Sequence, residues 1–175
     1  SYQCRAGVTG GVDVEEAYSG SLEEGWTGAG FSLDKGLKQD YVDYIRAEEA
    51  KIDWKKYNHV TPPRIVECTL DEGLIRRKAE ETDMAMITIG RNAGEYSDRK
   101  VKDDFELCAD EREMLEKVTR IFHQEGKKVV VILNIGGVIE TASWKDRPDA
   151  ILLAWQGGQD GGNPVADLLS GKGNP

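Results

Sequence analysis

The chain has 175 residues, 39% hydrophobic and 31% charged, and its 23 Lys and Arg against 32 Asp and Glu leave a formal net charge of −9. That length suffices for one ordinary domain with its own core, and the composition excludes a disordered chain or a coiled coil. No apolar run approaches the roughly 20 residues of a membrane span, and an acidic chain without a basic stripe repels phosphate backbones, so neither a membrane nor a nucleic acid is an expected partner. Cys4, Cys68 and Cys108 are odd in number and lack CxxC spacing; they read as thiols, not as a disulfide framework or a zinc site. Residues 1–10 lack the pattern of a secretory leader, the chain opens without Met as an excised piece would, and the sequence leaves the compartment open.

Helical spacing runs through 14–26 (Val14, Tyr18, Leu22, Trp26) and 37–50 (Leu37, Tyr41, Tyr44, Ile45), with Gly25 and Gly28 leaving the end of the first helix unsettled. Segment 51–63 reads as a connection and 64–68 as a short strand. A helix over 70–82 and a strand over 84–89 ending in Gly90 follow. The next helix, 111–125, takes Asp110 as its cap and Glu113 at the capping-box position. Its apolar stripe is Met114, Leu115, Val118, Ile121 and Phe122. Gly126 stands where a left-handed residue ends a helix. Segment 128–133 is apolar on both faces of the pleat, as a central parallel strand should be. A short helix 138–144, a strand 150–155 and a helix 163–170, with Asp160 and Asn163 as its capping candidates, complete the series. This alternation predicts an α/β fold in a single domain, a three-layer α/β/α sandwich with a mainly parallel open sheet. Its ligands should lie beyond the carboxyl ends of the strands.

Three connections qualify: 90–105, 134–137 and 156–162. The first exceeds the routine length of about 2 to 6 residues and holds Glu95 beside Gly94, flanked by Arg91, Asp98 and Arg99. Such a carboxylate is either a group projected on a Gly hinge, its proton affinity set by nearby charges, or part of a solvated charged loop. The third connection has neither GxGxxG spacing nor a GK[ST] ending, so a nucleotide is not expected. His59 and His123 have no partner at metal-ligand spacing, and His123 suits the negative end of its helix. Asp103, Asp104 and Glu106 read as a solvated acidic run rather than a calcium site. No metal or cofactor is expected, and no Ser, His and Asp arrangement suggests a triad. Trp144 and Trp155 fall in apolar patterns and read as core.

Residues 81–100 (ETDMAMITIGRNAGEYSDRK), 127–144 (KKVVVILNIGGVIETASW) and 149–175 (DAILLAWQGGQDGGNPVADLLSGKGNP) closely resemble the C-terminal α/β sandwich domain of glycoside hydrolase family 3, the β-glucosidase family. The likeness is specific over 65–175 and loose over 1–64. It implies a retaining glycosidase acting on terminal β-linked sugars of glucosides or oligosaccharides through a glycosyl-enzyme intermediate, with two carboxylates roughly 5 to 5.5 Å apart. Glu95 aligns with the general acid/base of that pair. The nucleophile of the family is an Asp in a separate (β/α)8-type barrel, which needs at least about 200 residues, so the resemblance implies a cleft shared with a barrel domain and an inactive chain in its absence. In many members a fibronectin-like domain follows the terminal motif.

Arg91, Tyr96 and Asp98, around Glu95, are the candidate substrate-binding residues. The family usually has Gly where this chain has Tyr96, which reduces backbone freedom there; the ring either stacks on a sugar or covers the base of the loop. The turn at 6–12 departs from the usual run of Gly and Ser. Trp26 and Trp54 are candidate sugar platforms. For Glu95 to act as an acid near neutral pH its proton affinity must be raised, by Asp98 or by the nucleophile, against the opposing field of Arg91 and Arg99. Apolar surface that a barrel would cover makes self-association an expectation. The rival reading is a non-catalytic carbohydrate-binding or scaffolding module.

Overall fold

A computed structural model of the chain describes residues 20–57, 64–92 and 98–174. Helix α1, Leu22–Gly28, opens on extended Ser21, whose hydroxyl accepts from Glu24 N while the Glu24 carboxylate accepts from Ser21 N. This reciprocal box fixes the start of the helix, eight residues later than the spacing over 14–26 suggests; positions 14–19 of that expectation lie outside the described residues. Asp34 caps α2, Lys35–Glu49, by accepting from Leu37 N. The connection that follows includes a single turn of 3₁₀-helix, Trp54–Tyr57. Segment 64–68 does not join the sheet. Instead the Tyr44 hydroxyl donates to Val66 O, and Cys68 N donates to the Glu67 carboxylate.

From here the alternation holds. Asp71 caps α3, Glu72–Glu81, and β1, Met84–Arg91, follows. After a turn and α4, Ala109–Gln124, Gly126 reverses the chain at φ +69°, and β2, Lys128–Ile135, and β3, Ala150–Leu153, come next. Helix α5, Gly162–Leu169, closes the order. The three strands form an open parallel sheet, β1-β2-β3, with Met84 opposite Lys128, Arg91 opposite Ile135 and Val130 opposite Ala150. Because strand side chains alternate between faces, β2 serves two cores. Val129, Val131, Leu133 and Ile135 pack with Ile75 and Ala79 of α3 and with Leu115, Val118 and Phe122 of α4. Val130 and Ile132 pack with Leu22 and Trp26 of α1 and with Val165 and Ala166 of α5. The result is the three-layer α/β/α sandwich, and Trp26, 4% exposed, belongs to its interior and is no sugar platform.

Several expectations are corrected. No helix forms over 138–144. Glu140 accepts from Ser143 N and Oγ, and Trp144 N and Lys145 N donate to Thr141 O, a single turn that does not propagate into a helix. Trp144 is core, and its ring Nε1 donates to Glu140 O at 2.7 Å. Trp155 is not core: it is 47% exposed and has φ +51°, which ends β3 at Leu153. Asp160 and Asn163 make no side-chain cap; the Asn163 amide donates to Asp160 Oδ1 at 2.5 Å, and Gly161 occupies the cap position. Glycine is required at the next position, Gly162, and at Gly25, because α1 and α5 touch backbone to backbone. A Cβ on Gly162 would lie 2.0 Å from Ser21 O, and one on Gly25 would lie 2.4 Å from Gly162 O.

At the amino ends of the strands, opposite the predicted site, Asp149 ties β3 to β2 and α4. Its carboxylate accepts from Lys128 Nζ, Val129 N and His123 Nε2, each at 2.8 Å. These bonds, that of Lys128 foremost, hold the Asp149 carboxyl far below the usual carboxylate range. His123 therefore answers to a specific carboxylate, not only to the end of its helix.

Two outcomes follow. Gly162→Ala should lower stability by about 2 kcal/mol or more, since overpacking against backbone has no flexible side chain to yield, whereas Gly28→Ala, with open space around it, should be neutral or gain up to about 1 kcal/mol; thermal melts of the two variants check the contrast. Because the folded-state proton affinity of Asp149 is depressed, its contribution is present at neutral pH and is lost as pH falls below the unfolded carboxylate value of about 3.9. Asp149→Asn should therefore lower Tm at pH 7, and the gap from the parent protein should narrow in melts carried down through that acid range.

Candidate active site

The carboxyl end of β1 runs straight into the long connection, so the site begins at Arg91. Its side chain is 2% exposed and engaged inward. Nη1 and Nη2 grip Glu111 Oε1 and Oε2 at 2.7 and 2.8 Å, Nη1 also donates to Gly90 O, and Nε donates to Asp104 O at 2.7 Å. Arg91, expected among the substrate contacts, faces the interior instead and joins the strand end to the far side of its own connection and to α4.

Glu111 is the centre of this cluster. It also accepts from Arg64 Nη1 at 2.7 Å and from Cys108 N at 3.0 Å. Burial works against its charge, but the bonds and charge of Arg91, the charge of Arg64 and the Cys108 amide outweigh it and keep the carboxyl ionised below its ordinary value. The bond to Cys108 N also sets the start of α4. The sequence assigned that start to Asp110 and Glu113, two residues too late, because Cys108 is not among the usual capping residues.

A second ion pair spans the connection itself. Arg99 Nη1 meets Asp104 Oδ1 at 2.5 Å, Arg99 Nη2 donates to Asn92 O at 3.0 Å, and Lys100 N donates to Asp104 Oδ2. A wide turn holds Asp104 in place, with Phe105 N donating to Lys100 O and Glu106 N to Val101 O. Within it Asp103 takes φ +61°, a conformation that Asp tolerates better than most residues. The next connection is fastened alongside: Gly136 N donates to Arg91 O, Glu140 N donates to Phe105 O, and the Arg99 guanidinium lies over Gly137, where a Cβ would be 3.0 Å from Nη2.

Glu95 and Tyr96 lie outside the described residues. Asn92 and Arg99, on either side of them, are the points at which the structure holds that stretch. Asp98 is exposed. Trp54, 50% exposed, lies on a turn well before the site in the sequence. Trp155 stands at the carboxyl end of β3, the same end of the sheet as Arg91. Of the acidic run, Asp104 is taken up by Arg99 and Lys100 N. Cys68 and Cys108 are free thiols, and burial, with Glu67 and Asp40 nearby, pushes the Cys68 thiol up. Sequence reasoning missed Glu111, Arg64 and Asp104 as parts of the frame. The only available signal was an acid in the first turn of a helix.

A parallel α/β/α sandwich with a charged frame around the connection beyond its first strand is the class of domain these features define. A model of the "Glycosyl hydrolase family 3 C-terminal domain" matches residues 12–175, and the chain belongs to that family. Among curated relatives it is 33% identical over 173 residues to a beta-glucosidase of Ruminococcus albus and 31% identical over 193 to beta-glucosidase A of Butyrivibrio fibrisolvens. The matches take in 98% and 97% of this chain but 18% and 22% of those proteins. Among solved structures, beta-glucosidase 3B from Thermotoga neapolitana in complex with glucose superposes with a TM-score of 0.86 at 41% identity, over 96% of this chain and 24% of that one. A beta-glucosidase from Paenibacillus barengoltzii gives 0.80 at 30% identity, over 96% and 18%. The chain thus spans about a fifth of the length of these relatives.

Removing one partner from a buried pair strands the other, typically at a cost of about 3–5 kcal/mol. Glu111→Ala should destabilise by that amount, while Glu113→Ala, two residues on and paired with Lys117 at the surface, should change stability by less than about 1 kcal/mol. Denaturant unfolding of the two variants measures the difference.

Proposed function

We propose that this domain supplies Glu95 as the general acid/base of a retaining β-glucosidase-like hydrolase, at a cleft shared with a (β/α)8 barrel domain that carries the nucleophilic Asp. In the first step the nucleophile attacks the anomeric carbon of a terminal β-linked sugar, the glycosidic C–O bond breaks, and Glu95 gives its proton to the departing oxygen. In the second, the Glu95 carboxylate takes a proton from water as that water attacks the glycosyl-enzyme, releasing the sugar and restoring both carboxyl groups. Tyr96 and Asp98 flank Glu95 on the substrate side, and Arg91 acts from behind by holding the strand end.

The observation that carries this reading is the family match over 12–175, which spans the stretch containing Glu95. The charged frame supports it. The two cations that flank Glu95 in the sequence, Arg91 and Arg99, are each paired with a carboxylate, Glu111 and Asp104, and are taken up in the frame.

In the enzyme that joins this domain to its barrel, Glu95→Gln should lower turnover of alkyl glucosides by about 10² to 10⁴-fold. Glucosides with good leaving groups, which need little protonation, should lose far less in the glycosylation step. Steady-state and burst kinetics on both substrate types read this directly, and an equal loss on the two would remove the acid role from Glu95.

A further inference from the structure

We infer that Arg99 is a positioning residue for the reaction, setting where Glu95 stands by bridging the two ends of the stretch that carries it; this rests on the acid/base reading of Glu95. Asn92 and Arg99 are separated by six residues, with Glu95 the third of them. Arg99 joins those ends with one guanidinium, Nη2 to Asn92 O at 3.0 Å and Nη1 to Asp104 Oδ1 at 2.5 Å. Asp104 is itself fixed twice more, by Lys100 N and, through its carbonyl, by the buried Arg91.

The Arg99 side chain is 16% exposed and lies close against Gly137 of the neighbouring connection, where a Cβ would stand 3.0 Å from Nη2 and displace it slightly. The position of the guanidinium is therefore set from three directions: the carbonyl before Glu95, the anchored carboxylate after it and the bare backbone of Gly137. A lysine cannot reproduce this, since an ammonium is a point donor without the planar fork that reaches a carbonyl and a carboxylate together.

A general acid misplaced by an ångström loses most of its advantage, whereas binding of the sugar by other groups is little changed. The test uses the enzyme joined to its barrel, with an alkyl glucoside and a dinitrophenyl glucoside as substrates. Arg99→Met should lower kcat on the alkyl glucoside by about 100-fold and on the dinitrophenyl glucoside by less than about tenfold, with KM within about twofold on both. Arg99→Lys should restore little of the loss. Gly137→Ala, which keeps Arg99 but displaces it by a few tenths of an ångström, should show the same leaving-group pattern at smaller amplitude, and it decides the matter if Arg99→Met melts too low to assay.

Equal fractional losses on the two substrates, or unchanged kcat in both variants, would overturn the inference. If that happens while Glu95→Gln keeps its leaving-group dependence, the bridge is wrong and the acid assignment stands. If Glu95→Gln itself loses equally on both substrates, the acid assignment fails and the inference falls with it.

Discussion

The Arg91–Glu111 pair organises the end of the molecule where function is expected. Two opposite charges have been taken out of water there, each at a desolvation cost of several kcal/mol. The cost is bearable because little hydrogen-bonding capacity is wasted: the guanidinium meets both carboxylate oxygens and two backbone carbonyls, and the carboxylate also takes Arg64 and the Cys108 amide. Replacing such a pair with well-packed apolar residues is often neutral or stabilising, so its role is hard to explain as stability. What it provides is direction. One bidentate contact fixes the end of β1, the start of α4 and the carbonyl of Asp104 relative to one another, and it does so beside the strand end, where a parallel sheet presents its ligand sites.

That fixed point is useful only because the sheet behind it is rigid. β2 is apolar on both faces and is covered on both, so the carboxyl ends of all three strands are held by two independent cores. The thinner of the two rests on short helices, α1 and α5, which gain their grip by approaching to backbone contact at Gly25 and Gly162. The opposite edge has its own fastening in Asp149, which ties β3 to β2 and α4 through Lys128, Val129 N and His123. Anchors at both ends of the strands leave the connections beyond β1 and β2 as the parts whose geometry is set by side chains.

Most of this architecture was legible in the sequence where period and caps agreed. The stripe Met114, Leu115, Val118, Ile121, Phe122 and the double-sided apolar run of β2 gave the sandwich, and the motif around Glu95 gave the family. The errors share a cause. Val138 to Trp144 has helical spacing, but only a single turn forms, closed by the bonds of Trp144 N and Lys145 N to Thr141 O. Trp155 follows an apolar run, but it takes a left-handed backbone conformation at the strand end and turns to solvent. Helix α1 starts at Ser21 because Glu24 completes its cap, a pattern present in the sequence but overshadowed by the wider spacing upstream. Glu111 was hidden for a different reason: it is partnered by Arg91 and Arg64, 20 and 47 residues away, and no local pattern reports a contact of that range.

The frame's chemistry is matched to the backbone that it holds. Arg91 and Arg99 hold this part of the chain through carbonyl oxygens, those of Gly90, Asn92 and Asp104, and through carboxylates on Glu111 and Asp104 that lie outside 93–97. A carbonyl is the same acceptor whatever side chain its residue carries, so these contacts hold the backbone itself. Guanidinium groups suit this task, offering several donors in one plane to acceptors whose directions are fixed by backbone. Pairing each of them with a carboxylate, Glu111 and Asp104, balances the two cationic charges within the frame.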